Sequence, residues 1–257
     1  MAWSNLRMLS QVLSSQGDGS GDIDANLAGV SITGATTASP VVCTATGHGY
    51  LSGDWLWIDG ATGTTEINGL REVVKVDANT FSLLDEAGDA VNSAGTFGGT
   101  VDSHQAFLVK PGATEVFEIV RMNGKASDNS VPALNGLLGI ARLTNGIRVA
   151  LYNSSGVVQQ LTPTPIKGWG DWALATGGAD APIVDITNTK LEAGFRWTFS
   201  KYGPPVTLRG VEGEMIVIYS LDDLDALDDL QFAVEGEDVS DVPSKTVITP
   251  IDSNPLT

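Results

Sequence analysis

The strongest constraint on this chain is its punctuation: turn-forming residues recur so often that long helices have no room. Gly47-His48-Gly49, Ser52-Gly53-Asp54, Asp59-Gly60 and Asp77-Ala78-Asn79 divide short runs in which apolar residues alternate. Val41 with Cys43, Trp55 with Trp57, Val74 with Val76 and Phe81 with Leu83 carry that alternation. Glycine takes positive φ without a steric penalty, and Asp or Asn can bond its own backbone, so these clusters read as turns. Period-two alternation between closely spaced turns is the pattern of short, half-buried strands in a small barrel or sandwich. A content of 30 Gly and 42% hydrophobic residues in 257 fits many turns around real cores, in two modest domains or one large β domain with extensions.

Four regions follow. Residues 1–26 form an arm and linker. Trp3, Leu6, Leu9 and Leu13 fall at helical spacing and predict one short amphipathic helix, with those four side chains as the partner contact. So short a helix is marginal alone and needs something to dock on, either its own chain or a partner. The polar stretch 14–26 is rich in Gly and Ser, as a flexible linker is. Residues 27–102 predict a small β-barrel module. Residues 103–242 predict an antiparallel, jelly-roll-like β-sandwich, with clean alternation at Phe195-Arg196-Trp197-Thr198-Phe199 and an apolar strand over 214–219. Residues 243–257, with Pro243, Pro250 and Pro255, predict an extended tail. The expected fold is thus mainly β: a small barrel, a sandwich and a short N-terminal helical arm.

Several motifs in order carry a resemblance. Gly34-Ala35, Ser39-Pro40-Val41-Val42, Thr46-Gly47-His48-Gly49, Ser52-Gly53-Asp54 and Ile58-Asp59-Gly60 form its first part. Glu66-Ile67-Asn68-Gly69, Val76-Asp77-Ala78-Asn79-Thr80-Phe81 and Gly98-Gly99-Thr100-Val101 complete it. Together they resemble the ubiquitin-activating enzyme FCCH-like β-barrel module that recurs in bacteriophage head and tail proteins. The resemblance implies no ubiquitin chemistry, since no nucleotide-binding motif accompanies it. The second region resembles phage virion proteins through Leu143-Thr144-Asn145-Gly146-Ile147, Leu161-Thr162-Pro163, Pro165-Ile166-Lys167, Gly170-Asp171-Trp172, Arg196-Trp197-Thr198-Phe199-Ser200-Lys201, Leu221-Asp222-Asp223-Leu224 and Phe232-Ala233-Val234-Glu235-Gly236.

Charge narrows the partners. The formal net charge is −17, and residues 207–257 hold 12 Asp or Glu against Arg209 and Lys245. Such a surface repels phosphates, which argues against nucleic acid and anionic lipid. No apolar stretch is long enough to span a bilayer, so no membrane is expected. Cys43 is the only cysteine, which rules out an internal disulfide and permits folding in a reducing cytoplasm.

The candidate chemistry is thin. Asp222, Asp223, Asp225, Asp228 and Asp229 could offer calcium oxygen ligands, but their spacing is not that of an EF-hand. Leu221, Leu224, Leu227 and Leu230 recur every third residue and favour a short helical turn or loop with Leu inward and Asp in water. Asp18, Asp22 and Asp24 are a weaker set. His48 lies in a glycine turn, His104 lies at the domain junction, and Cys43 reads as a buried hydrophobe. None has an evident catalytic partner. Trp169 and Trp172, with Asp171 nearby, could bind or cleave a sugar, though tryptophans more often anchor cores. Trp55 and Trp57 share one strand face, as a core layer or an exposed contact patch. No catalytic, cofactor or metal site is predicted.

The expectation is a non-enzymatic virion structural protein that decorates or cements the capsid. It would be assembled in the bacterial host cytoplasm and contact the major capsid protein and copies of itself. A closed homo-oligomer such as a trimer is expected from the symmetry of shell proteins. Alternatives are a tail, baseplate or fibre component contacting host glycans, and a glycan-degrading virion enzyme.

Overall fold

The fold is that of a computed structural model. It describes residues 6–9, 29–128, 143–162, 165–167, 180–187, 190–198, 206–222, 224 and 229–239. The chain is mainly β, as its turn pattern predicts. The first strand, β1 (Leu6–Leu9), belongs to the last sheet.

The barrel follows. Its strands are β2 (Val30–Ile32), β3 (Gly34–Ala35), β4 (Val42–Thr44), β5 (Trp55–Asp59), β6 (Gly69–Lys75), β7 (Thr80–Leu84) and β8 (Val101–Gln105), with one 3-10 turn at Thr65–Ile67. They form an antiparallel sheet in the order β2-β8-β5-β6-β7-β4-β3. The strands at its two ends, β2 and β3, are consecutive in the chain, with only Thr33 between them. The Thr33 N–H donates to the Thr44 carbonyl at 2.8 Å. The sheet therefore nearly closes on itself and hides the edges that an open sheet would expose. Alternation fills the interior. Leu56 and Ile58 of β5 point in with Cys43, Val73, Phe81 and Val101, while Trp55 and Trp57 are left on the outer face. Each large apolar side chain so buried contributes about 1.5–3 kcal/mol relative to exposure.

The rest of the described chain forms two sheets. Their strands are β9 (Phe107–Val109), β10 (Val116–Asp128), β11 (Ile147–Asn153), β12 (Gly156–Gln160), β13 (Asp180–Thr187), β14 (Lys190–Thr198), β15 (Val206–Arg209), β16 (Met215–Ser220) and β17 (Asp229–Asp238). A four-stranded sheet runs β12-β11-β16-β9. A six-stranded sheet runs β1-β17-β10-β14-β13, with β15 pairing the first part of β10.

The four-stranded sheet is the middle layer. All six residues of β16 are buried. Met215, Val217 and Tyr219 cluster with the barrel's Leu70, Trp55 and Trp57. Ile216 and Ile218, offset by one, take the opposite face. On β9, Leu108 faces the barrel cluster, while Phe107 meets Phe232 of β17 edge to face at 5.2 Å between centroids. A strand covered on both faces reads as a continuous apolar run rather than an alternating one, which accounts for Met-Ile-Val-Ile-Tyr at 215–219.

The arm departs from expectation. Residues 6–9 form a strand, not part of a helix, and pair antiparallel with β17 from Leu6↔Glu237 to Leu9↔Val234. A lone short helix has a costly nucleus, whereas a sheet edge supplies preformed backbone partners, so tertiary pairing overrides the helical spacing. Trp3 and Leu13 lie outside the described residues, as do the linker 14–26 and the tail 243–257.

Candidate functional site

The most built feature is the joint between barrel and sandwich. β8 passes into β9 through Ala106 alone, and the Ala106 N–H donates to the Trp55 carbonyl at 2.8 Å. Trp57, opposite His104 in the β5–β8 register, stacks on Tyr219 with ring centroids 4.1 Å apart and planes at 12°. It also meets Tyr152 edge-on at 6.4 Å. Aromatic pairs of this kind add about 0.5–1.5 kcal/mol beyond the area they bury. Trp55 and Trp57 thus form a packed layer between the two parts rather than an exposed patch.

A polar clasp closes one side of this layer. The Tyr152 hydroxyl donates to Glu86 at 2.5 Å, and the Arg71 guanidinium lies 3.6 Å from the same carboxylate. Arg71 is held in turn by the carbonyls of Leu70 and Glu66. Burial, then the hydrogen bond and the charge of Glu86, push the Tyr152 phenol well above its ordinary value. It stays a neutral donor. Arg71 and Glu86 come from the barrel and Tyr152 from the sandwich, so the clasp spans the joint.

The motif residues prove to be fasteners. The Tyr50 N–H donates to His48 Nδ1 at 3.0 Å, which leaves the ring proton on Nε2 to donate to the Asp77 carbonyl at 3.0 Å. His48 also packs with Tyr50 and Phe81 at centroid distances of 5.5 and 5.1 Å. The Tyr50 hydroxyl reaches the Ser103 carbonyl, and Ser103 Oγ donates to the Val30 carbonyl at 2.8 Å. Asn68 accepts from the Ala61 N–H and donates to the Ala61 carbonyl, like a strand partner.

In the second region three of the resembling motifs meet. Both oxygens of Asp222 accept backbone N–H groups of Thr144, Asn145 and Gly146 in succession. Three consecutive N–H groups around one carboxylate make an anion nest. Gly146 is at φ +84°, and a Cβ there would lie 2.9 Å from the Ile166 carbonyl oxygen. Lys167 Nζ donates to the Thr144 carbonyl, tying the 165–167 segment to the same knot.

The other predicted candidates take structural positions. Asp222, expected on a solvated acidic face, is spent on that nest, and Leu224 beside it is buried. Asp223, Asp225 and Asp228 lie outside the described residues, as do Asp18, Asp22, Asp24, Trp169, Asp171 and Trp172. Asp229 and Trp197 lie in β17 and β14. Among the described residues no group of three or more His, Cys, Asp or Glu is placed to hold a metal ion. Cys43 is inside the barrel, where burial pushes its thiol up to about 12, so it is held as the unreactive thiol. His104 is buried where Gly29 crosses it: a Cβ on Gly29 would lie 2.5 Å from the ring.

No protein-family model matches this chain, and no curated protein matches it. The joint residues Arg71, Glu86, Tyr152 and Tyr219 escaped the sequence reading. The available signal was Trp55-Leu56-Trp57-Ile58, a strand apolar on both faces, which requires a cover on each.

Proposed function

We propose that this chain is a structural component of a bacteriophage particle, decorating or cementing the exterior of the capsid through protein–protein contacts. The observation that carries the reading is the joint. A small barrel is fused to a sandwich through stacked Trp57 and Tyr219, a clasp at Glu86 and a one-residue crossing at Ala106. That construction holds two binding bodies at a fixed spacing, as a cement between shell subunits requires. The motif resemblance to phage modules supports the same reading. Its motif residues His48, Asn68 and Asp222 are occupied in fastening loops. The net charge of −17 suits an outer surface away from packaged DNA.

The test is location. Heads and tails of the parent phage, separated and probed by antibody and mass spectrometry, are expected to show the chain on heads in fixed stoichiometry. Its presence on tails alone would favour the host-contacting alternative, and its absence from particles would end the virion reading.

A further inference from the structure

β1 is an edge strand held by its own chain through a single neighbour. It pairs with β17 alone, across four residue pairs at the end of its sheet. Nineteen residues, 10–28, separate it from Gly29, and Gly and Ser dominate their middle. A Gly/Ser-rich coil of that length has an end-to-end distance of about 24 Å. The charge is also lopsided. Residues 1–17 contain Arg7 and no acid, whereas β17 carries Asp229, Glu235, Glu237 and Asp238 and no base.

We propose that β1 is an exchangeable arm: where copies of this chain are crowded, residues 6–9 of one copy pair with β17 of the next in the same antiparallel register. Exchange preserves every backbone hydrogen bond of the pairing, so only effective concentration decides between the closed and exchanged forms. A coil linker of nineteen residues would present its own strand at an effective concentration of about millimolar order. Dilute chains therefore close on themselves, and copies packed side by side compete on equal terms. Two bodies of net charge −17 repel one another, and the arm is the segment that approaches an acidic strand with opposite charge. The inference deepens the proposed cementing role by naming the partner as a second copy, but the exchange itself requires no phage particle.

The buried Cys43 is the only native cysteine, so introduced thiols report on themselves in the folded protein. Leu6 and Glu237 are register partners. Full-length Leu6→Cys and Glu237→Cys chains are unfolded together under reducing conditions and refolded as a mixture. Refolding is done at about 1 mM, comparable with the linker's effective concentration, and at about 1 μM, far below it. Oxidation and non-reducing mass spectrometry follow. The expected result is a mixed disulfide dimer at the high concentration, at least tenfold depleted at the low one. The double variant is expected to close within one chain when dilute. Arg7→Glu, which weakens the same pairing in both forms, should lower the mixed dimer and the internal closure of the double variant together several-fold, and Arg7→Lys should restore both. Internal closure without any mixed dimer at high concentration would overturn exchange. No closure in either form would overturn the β1–β17 pairing itself. Neither outcome touches the virion reading, which rests on particle location.

Discussion

At the scale of single residues, buried polar groups fasten the loops, and each makes a measurable prediction. His48→Ala leaves the Tyr50 N–H and the Asp77 carbonyl without their partner, in a site where His48 is 1% exposed. It should cost about 1–3 kcal/mol in urea denaturation. Asp222→Ala removes the acceptor of three consecutive N–H groups, so amide exchange at 144–146 should accelerate sharply, while Asp222→Asn keeps one oxygen and loses less. Asp77 gives an acid response. Hydrogen bonds from the Asn79 backbone, then from the Thr80 side chain, hold its carboxyl below the ordinary value. A lowered folded value stabilises above the unfolded value, about pH 4, and the benefit is lost as pH falls through the folded value. Urea midpoints should drop from pH 5 to pH 3, and Asp77→Asn should show a smaller drop.

At the scale of elements, the joint couples barrel to sandwich through packed side chains, which predicts that the two unfold together. Trp57→Ala removes the stack on Tyr219 and the edge contact with Tyr152. Truncating a tryptophan in such a layer costs about 3 kcal/mol, and calorimetry should then resolve two transitions where the parent shows one. Much of the strand pattern was legible, because alternation across Leu56, Ile58 and their neighbours maps directly onto an inside and an outside. The middle layer was half legible: the apolar run at 215–219 marks a strand covered twice, but nothing local says by what. The arm was misread because Leu6 and Leu9 match a helical spacing, while the deciding partner, β17, lies more than two hundred residues away. The clasp was illegible for the same reason, since Arg71, Glu86 and Tyr152 are ordinary residues until the fold brings them together.

At the scale of the molecule, the nearly closed barrel supplies its own reporter. Cys43 is 0% exposed, and its thiol is pushed from 9.0 up to about 12 by burial. A raised folded value stabilises below the unfolded value and is lost as pH climbs through the folded one, so stability should decline between those two limits. At neutral pH a maleimide should label Cys43 only as fast as the barrel opens, with Trp57→Ala labelling faster than the parent. The crossing at Ala106 has a mechanical consequence. With one residue between β8 and β9, and that residue bonded to Trp55, the chain has no hinge there. The barrel axis is then a pointer set by the sandwich: any surface that held the sandwich would also fix the direction and height of the barrel tip, as a ruler rather than a tether would.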